Sequence, residues 1–289
     1  MDILKCASLN IGNGLKDFEN GYGIYQRLHK LIEAINGIDA DIFFLLEANR
    51  PAIGADGRKI LWEKIVELIQ SKTKMTQFVC VKNTKKPNSL GISCLFNKGR
   101  IQEIEGFLIP LCEMNQKTIG LKVNVMKNGK IYRMMAVHLP HSFQMKQIAL
   151  ENMISYSKKY KLDFICGDFN TFADSDGPII IERLKENYKI VLDDRLTYVS
   201  FPHSKHYYGR VYKYFHRKKN ELFGIIGSSI DQVICNKDNN NVTAHVINPY
   251  DYTILERSAE TKIFNKIRRK NGPSDRCSDH FPILIECEK

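Results

Sequence analysis

Long apolar runs are missing from this sequence. Across its 289 residues none approaches the ~20 consecutive apolar positions that a bilayer-spanning helix needs. The opening Met1-Asp2-Ile3-Leu4-Lys5-Cys6 has an early acid and no extended apolar core, so it is not expected to be a signal peptide. Zinc-type cysteine spacing is also missing. The 8 cysteines are scattered, with no C-x-x-C and no paired Cys/His spacing. Cys6, Cys80, Cys94, Cys166 and Cys235 sit inside strand-like apolar runs, which predicts buried free thiols in a reducing cytoplasmic compartment, the nucleus included. There is one tryptophan, Trp62. There is no Gly/Ser or Pro-rich linker, no low-complexity tract and no internal repeat, so residues 1–289 are expected to form a single domain.

Acidic residues are in deficit. Asp and Glu number 32 against 43 Lys and Arg, a formal net charge of +11. Such an excess is not needed for solubility and points to a polyanionic partner, either nucleic acid or an anionic lipid headgroup. No obligate protein partner is evident.

Short apolar runs predict strands at Ile3–Leu9, Asp41–Leu46, Gln77–Val81, Gly91–Phe96, Thr118–Val125, Ile131–Val137, Asp163–Cys166, Ser229–Cys235 and Phe281–Glu286. Helical spacing puts Tyr25, Leu28, Leu31, Ile32 and Ile35 on one face, and Leu61, Ile65, Leu68 and Ile69 on another. Phe143, Gln147, Leu150 and Ile154 mark a third helix, and Asp176-Gly177-Pro178 opens a fourth with proline in its first turn. The stretch from Phe107 to Val137 reads as antiparallel β, with Lys127-Asn128-Gly129-Lys130 as a hairpin turn. Interleaved helices and consecutive strands together predict an α/β fold with mixed sheets.

Polar residues recur where apolar runs end, which is where α/β folds place their sites. Asn10, Glu47 and His138 each close a run, and Asp168 and Asn170 follow Phe164-Ile165-Cys166-Gly167. Asp231 lies within a run instead, and Asp279 and His280 precede one. Glu47 and Asp279 are hard oxygen ligands and Asn10 adds a neutral one, a set suited to Mg²⁺ with several waters, or to Mn²⁺. Asp168 can accept a proton from an attacking water while Asn170 holds its geometry. His138 and His280 can donate to the developing charge on a phosphate, and Asp231 can fix a histidine tautomer. Each piece alone has a plainer reading. Gly167-Asp168-Phe169-Asn170 can be a turn, Glu47 a loop carboxylate, His138 a satisfied core histidine and Ser278-Asp279-His280 a strand-start cap.

Taken in order, Asn10, Glu47, His138, Gly167-Asp168-Phe169-Asn170, Ser229-Ile230-Asp231-Gln232-Val233 and Ser278-Asp279-His280-Phe281-Pro282-Ile283 resemble the endonuclease/exonuclease/phosphatase superfamily, the DNase I-like proteins. The resemblance spans Asn10 to Ile283. It implies a four-layer α/β sandwich, two mixed sheets packed face to face and flanked by helices, with the site at one rim. It also implies a Mg²⁺-dependent phosphodiesterase. Glu47 would be the main metal ligand, with Asn10 beside it and Asp279 a second metal-side carboxylate. Asp168 would activate water, Asn170 would bind phosphate, and His280 would act on the scissile phosphate with Asp231 orienting it. His138 matches the histidine of the deoxyribonuclease-like members. Leu46 stands where the family often has glutamine, and Gly12 where AP endonucleases have aspartate, which weighs against an AP endonuclease.

Loops select the substrate in such a fold. The stretch 207–219 interleaves aromatic and basic residues, and Tyr212, Arg217, Lys218 and Lys219 are its candidate contacts for nucleic acid. Two alternatives stay open: a phosphatase or phosphodiesterase of inositol phosphates, phosphoinositides or sphingomyelin-like lipids, and a non-catalytic nucleic-acid-binding module.

Overall fold

A computed structural model describes residues 2–12, 24–53, 58–82, 89–112, 118–171, 177–192, 198–200, 226–228, 230–247, 280 and 282–289. In chain order, β1 (Ile3–Asn10), α1 (Ile24–Ile38), β2 (Ile42–Ala48), the short β3 (Ala52–Ile53) and β4 (Lys59–Ile60), α2 (Trp62–Lys72), β5 (Met75–Lys82) and β6 (Gly91–Asn97) make the first half. β7 (Glu103–Cys112), β8 (Thr118–Lys127), β9 (Lys130–His138), α3 (Phe143–Tyr160), β10 (Phe164–Asp168), α4 (Gly177–Asn187) and β11 (Tyr188–Ile190) follow. The chain closes with β12 (Tyr198–Ser200), β13 (Ile226–Ser228), β14 (Asp231–Asn236), β15 (Val242–Val246) and β16 (Ile283–Glu288).

These strands build two six-stranded sheets, ordered β15-β16-β1-β2-β6-β5 and β11-β14-β10-β9-β8-β7. Each sheet has one parallel pair at its centre, β1 with β2 and β9 with β10, flanked by antiparallel neighbours. The mixed sandwich expected from the sequence is therefore present. Its period-2 patterning decides which layer each side chain joins. Leu4, Cys6, Phe44 and Leu46 of the first sheet share one core with Val123, Met134, Ala136, Phe164 and Cys166 of the second. Their alternating neighbours Ala7, Leu9, Phe43 and Leu45 turn outward onto Leu28, Leu31 and Ile35 of α1 and onto Ile65 and Ile69 of α2. On the second sheet, Met135, Val137 and Ile165 turn outward onto Ala149, Leu150 and Met153 of α3 and onto Ile180 and Leu184 of α4. Helix, sheet, sheet, helix is the four-layer arrangement.

The β8–β9 hairpin turns at Asn128 (φ 52°) and Gly129 (φ 75°), with Lys127 opposite Lys130. This is the Asn-Gly turn read from the sequence, and both central residues have the positive φ it requires. Among the described residues all the cysteines are free, most of them buried. Two residues of the helical faces read from the sequence are exposed: Tyr25 is 65% exposed and Leu61 59%. Both sit at the beginnings of their helices, and Leu61 is the cap residue of α2. The next residue, Trp62, takes the buried place instead, its indole N–H donating to Gln77 Oε1 at 3.1 Å.

One backbone contact matters to the site. Gly167 has φ +137°, and a Cβ there would lie 2.0 Å from the carbonyl oxygen of Val137 on β9. Only glycine lets β10 come this close to β9 just before Asp168. Gly167→Ala is expected to cost about 3 kcal/mol or more, since it combines a backbone clash with a conformation that L residues avoid. Urea unfolding of the variant checks this; a loss under about 1 kcal/mol would contradict it.

Candidate active site

The two central parallel pairs end on the same rim. Asn10 ends β1, with Asn10 opposite Leu46 of β2 and Glu47 one residue further on. His138 ends β9 directly opposite Asp168 at the end of β10. Two residues that do not close a run, Asp231 and His280, lie at or before the starts of antiparallel neighbours. Asp231 opens β14 and pairs with Asp168. His280 lies three residues before Ile283, which pairs with Ser8. The start of an antiparallel strand lies beside the end of its neighbour, so these residues reach the same rim from the other chain direction.

Glu47 sits where β2 and β6 lose register, in left-handed backbone with φ +57°. An irregularity of this kind re-aims a side chain. The Glu47 carboxylate meets Asn10, whose amide nitrogen donates to Glu47 Oε1 at 3.1 Å and to Asp168 Oδ2 at 3.0 Å. The Asn10 carbonyl oxygen accepts from the Gly12 N–H at 3.0 Å. As placed, Asn10 bridges the two sheets with its NH₂ and keeps its oxygen on the backbone. His138 Nε2 lies 3.7 Å from both Glu47 Oε1 and Asp168 Oδ2.

Asp168 is 2% exposed. Its Oδ1 accepts from the Asn170 N–H at 2.8 Å. Asn170 has φ +52° and donates its side-chain amide to Leu139 O at 2.7 Å. Phe169 points the other way, into the core under α3, which turns the Asp and the Asn of this segment toward the rim. On the far side of Asp168, His280 Nδ1 and Asp231 Oδ2 are 2.8 Å apart, both residues buried. That contact fixes the ring orientation of His280 through Nδ1.

Asp168, Asp231 and His280 bring one ligating atom each within 4.8 Å of one another. Burial pushes the Asp168 carboxyl above the ordinary aspartate range, and the Asp231 charge pushes it further. His138, His280 and the Asn170 N–H pull it back only in part. The donor set therefore fits a hard divalent cation: carboxylate oxygens gathered at a buried rim, with negative charge that nearby histidines do not fully offset.

A raised native pKa has a stability consequence of definite sign. The native carboxyl holds its proton at a pH where the unfolded chain has released it, so its contribution to stability falls as pH rises from the ordinary aspartate value through the raised one. In metal-free buffer, the melting-temperature difference between Asp168→Asn and wild type should shift in favour of the variant across that window. A difference that does not change with pH would show that the carboxyl is not held protonated.

All the expected residues that the structure describes are thus at one rim: Asn10, Glu47, His138, Asp168, Asn170, Asp231 and His280. Asp279, Tyr212, Arg217, Lys218 and Lys219 lie outside the described residues. Two neighbours were not anticipated. His141 is held below the ordinary histidine range, first by desolvation, with the Asp168 charge opposing and His138 adding. Its spacing from His138 was a readable signal. Lys146 on α3 is 1% exposed and donates to Asn170 O at 2.7 Å. Nothing in the sequence distinguishes it from a solvated helix lysine.

No protein-family model and no curated protein matches the sequence. Solved structures do match in fold. An endonuclease/exonuclease/phosphatase family protein from Bacteroides thetaiotaomicron matches over 99% of this chain and 94% of its own, with TM-score 0.65 and 15% identity. D. rerio TDP2, complexed with single strand DNA product, matches over 100% of both chains, with TM-score 0.59 and 14% identity. A mannosyl-6-phosphatase from Bacteroides thetaiotaomicron matches over 99% and 100%, with TM-score 0.63 and 14% identity. The chain has the fold of the endonuclease/exonuclease/phosphatase proteins.

Proposed function

We propose that the protein is a Mg²⁺-dependent phosphodiesterase acting on nucleic acid, as a nuclease or an end-processing enzyme. The observation that carries this reading is the convergence of Glu47, Asn10 and Asp168 at one buried rim, through a single amide that bonds both carboxylates. The His280–Asp231 pair lies beside it. A binding module needs no such set.

Glu47 would hold the ion, together with Asp279 and with Asn10 alongside. When bound, Mg²⁺ (or Mn²⁺) supplies neutralisation of phosphate and leaving-oxygen charge. Asp168 takes a proton from water as the water oxygen bonds to phosphorus and the bond to the leaving oxygen breaks. Ionised Asp168 is the competent form, and bound cation would favour it by opposing the effect of burial. His280, fixed by Asp231 through Nδ1, offers Nε2–H to a phosphate oxygen. His138 stands ready on the other side, and the side-chain oxygen of Asn170 completes the rim.

The choice of nucleic acid is supported by the net charge of +11 and the aromatic-basic stretch 207–219, and by a fold relative that holds a DNA product. Tyr212 is the candidate stacking residue, and Arg217, Lys218 and Lys219 the candidate phosphate contacts. Neutralising the three basic residues together should weaken binding and reduce the slope of log affinity against log salt by roughly 2–3, at about 0.7–0.9 per lost phosphate contact. An unchanged slope would remove this stretch from the contact surface. A second reading, a phosphatase of sugar or inositol phosphates, is supported by the fold relative named a mannosyl-6-phosphatase. No helix among the described residues is long and apolar enough to cross a membrane.

A further inference from the structure

We infer that Lys146 is a positioning residue for the catalytic rim, acting through the backbone of Asn170. This rests on the phosphate-ester reading above.

Lys146 lies in the first turn of α3, with its N–H bonded to Ser142 O. Its side chain is 1% exposed, among the most buried in the protein, and its ammonium donates to the Asn170 carbonyl at 2.7 Å. An ammonium removed from water at this cost is retained where its donor capacity is used. The accepting group is significant. Asn170 holds left-handed backbone, φ +52°, which is sparsely populated for a non-glycine residue and persists only where surroundings fix it. Three hydrogen bonds fix it here. Its N–H is tied to Asp168 Oδ1 and its amide to Leu139 O, while its carbonyl is tied to Lys146.

These bonds form one frame. Leu139 N–H donates to Asp168 O, and Phe169 N–H to Ile230 O. The segment from Asp168 to Asn170 is thereby stretched between β9, β14 and the start of α3. Of the groups in this frame, Lys146 supplies the one charge-assisted bond to the segment's carbonyl side. Loss of that donor frees the Asn170 peptide to rotate toward ordinary backbone. The Asn170 amide then leaves Leu139 and its N–H leaves Asp168. The water-activating carboxylate loses its orientation without itself being altered.

Lys146→Met keeps the length and volume of the side chain but removes the donor. It is expected to lower kcat about 10–100-fold with KM within about threefold, the order of loss that a displacement near 1 Å produces. Lys146→Gln, which keeps an N–H donor without charge, should retain more of kcat and carries the test if the methionine variant does not fold. Met153→Ala, on the same helix and in the apolar cluster beneath it, is the control for destabilisation alone; its kcat should stay near wild type. Lys146→Met activity within twofold of that control would overturn the inference. Crystal structures give the readout that does not depend on activity. Asn170 should leave φ near +52° and its amide should leave Leu139 O in Lys146→Met. If Asn170 stays in place, the inference fails whatever the kinetics. If Asn170 moves but the wild-type protein cleaves no phosphate ester, the positioning role stands and the functional reading falls.

Discussion

Asp168→Ala and His280→Ala are each expected to lower turnover by at least ~10³-fold, since a positioned general base and a donor to developing phosphate charge are each worth losses of about that order. The two should differ in kind. Asp168 is buried, bonded to Asn10 and Asn170, and lies at the junction of the two sheets. Its removal would take away the proposed proton acceptor and also loosen the bridge to Glu47. His280 pairs with Asp231 on the other side of Asp168 from the Asn10 bond, so its removal should leave the Asn10–Glu47–Asp168 hydrogen bonds standing. Asp231→Asn is then the informative companion: it should reproduce much of the His280→Ala loss, because the partner that sets the tautomer is gone. Single-turnover rates on a cleaved substrate check all three. Undiminished turnover in either alanine variant would remove that residue from the mechanism.

Glu47→Gln should be equally damaging, and by a route that can be read without substrate. If Glu47 holds the cation, Mg²⁺ stabilises the wild-type fold by mass action, about 2.7 kcal/mol at a hundred times the dissociation constant. In a chain of this size that corresponds to a rise of several degrees in melting temperature. The Gln variant keeps the shape and the capacity to bond Asn10, but loses the charge. Its melting temperature should not respond to Mg²⁺, and its turnover should fall at least ~10³-fold, near the level of wild type in EDTA. A melting temperature that still rises with Mg²⁺ in Glu47→Gln would place the cation elsewhere, most simply on the Asp168–Asp231–His280 cluster.

Much of this site was legible in the sequence, for a physical reason. Asn10, Glu47, His138 and Asp168 close apolar runs, and a strand must end where its buried neighbours end. Polar residues at those ends collect at the rim whenever the strands run parallel, as β1 with β2 and β9 with β10 do. Asp231 and His280 were legible only as parts of motifs. Alternation shows that a strand exists but not which way it runs; Asp231 opens an antiparallel strand and His280 precedes one. β15 was not anticipated. Its sequence Val242-Thr243-Ala244-His245-Val246 alternates correctly but carries small and polar residues, as an edge strand tolerates. Tyr25 and Leu61 are exposed although they lie on the apolar faces read from the sequence, because helical spacing continues past the last residue that the sheet can cover. Lys146 was illegible for the opposite reason. A lysine in a first helical turn reads as solvated, and nothing in the sequence shows that the left-handed Asn170 carbonyl accepts from it.

The coupling between the two sheets is the part of the design with most consequence. Each sheet alone carries half a site: Asn10 and Glu47 on one, His138, Asp168 and Asp231 on the other. The apolar core shared by Cys6, Phe44 and Leu46 with Met134, Ala136 and Cys166 fixes the spacing between the halves. Close packing of that core transmits strain to the rim, so changes in its volume should disturb turnover as well as stability.

The most direct test is a single panel assay with Mg²⁺ on purified wild type and Asp168→Ala side by side. The substrates are plasmid DNA, abasic duplex, 5′-phosphotyrosyl DNA, single-stranded RNA, phosphoinositides and a sugar phosphate. The expected result is turnover of a nucleic-acid phosphodiester that is abolished by EDTA and by the Asp168→Ala substitution. Turnover confined to the sugar phosphate or the phosphoinositides would keep the chemistry and replace the substrate. No turnover of any ester, or equal turnover by the variant, would contradict the central claim that this rim hydrolyses phosphate esters.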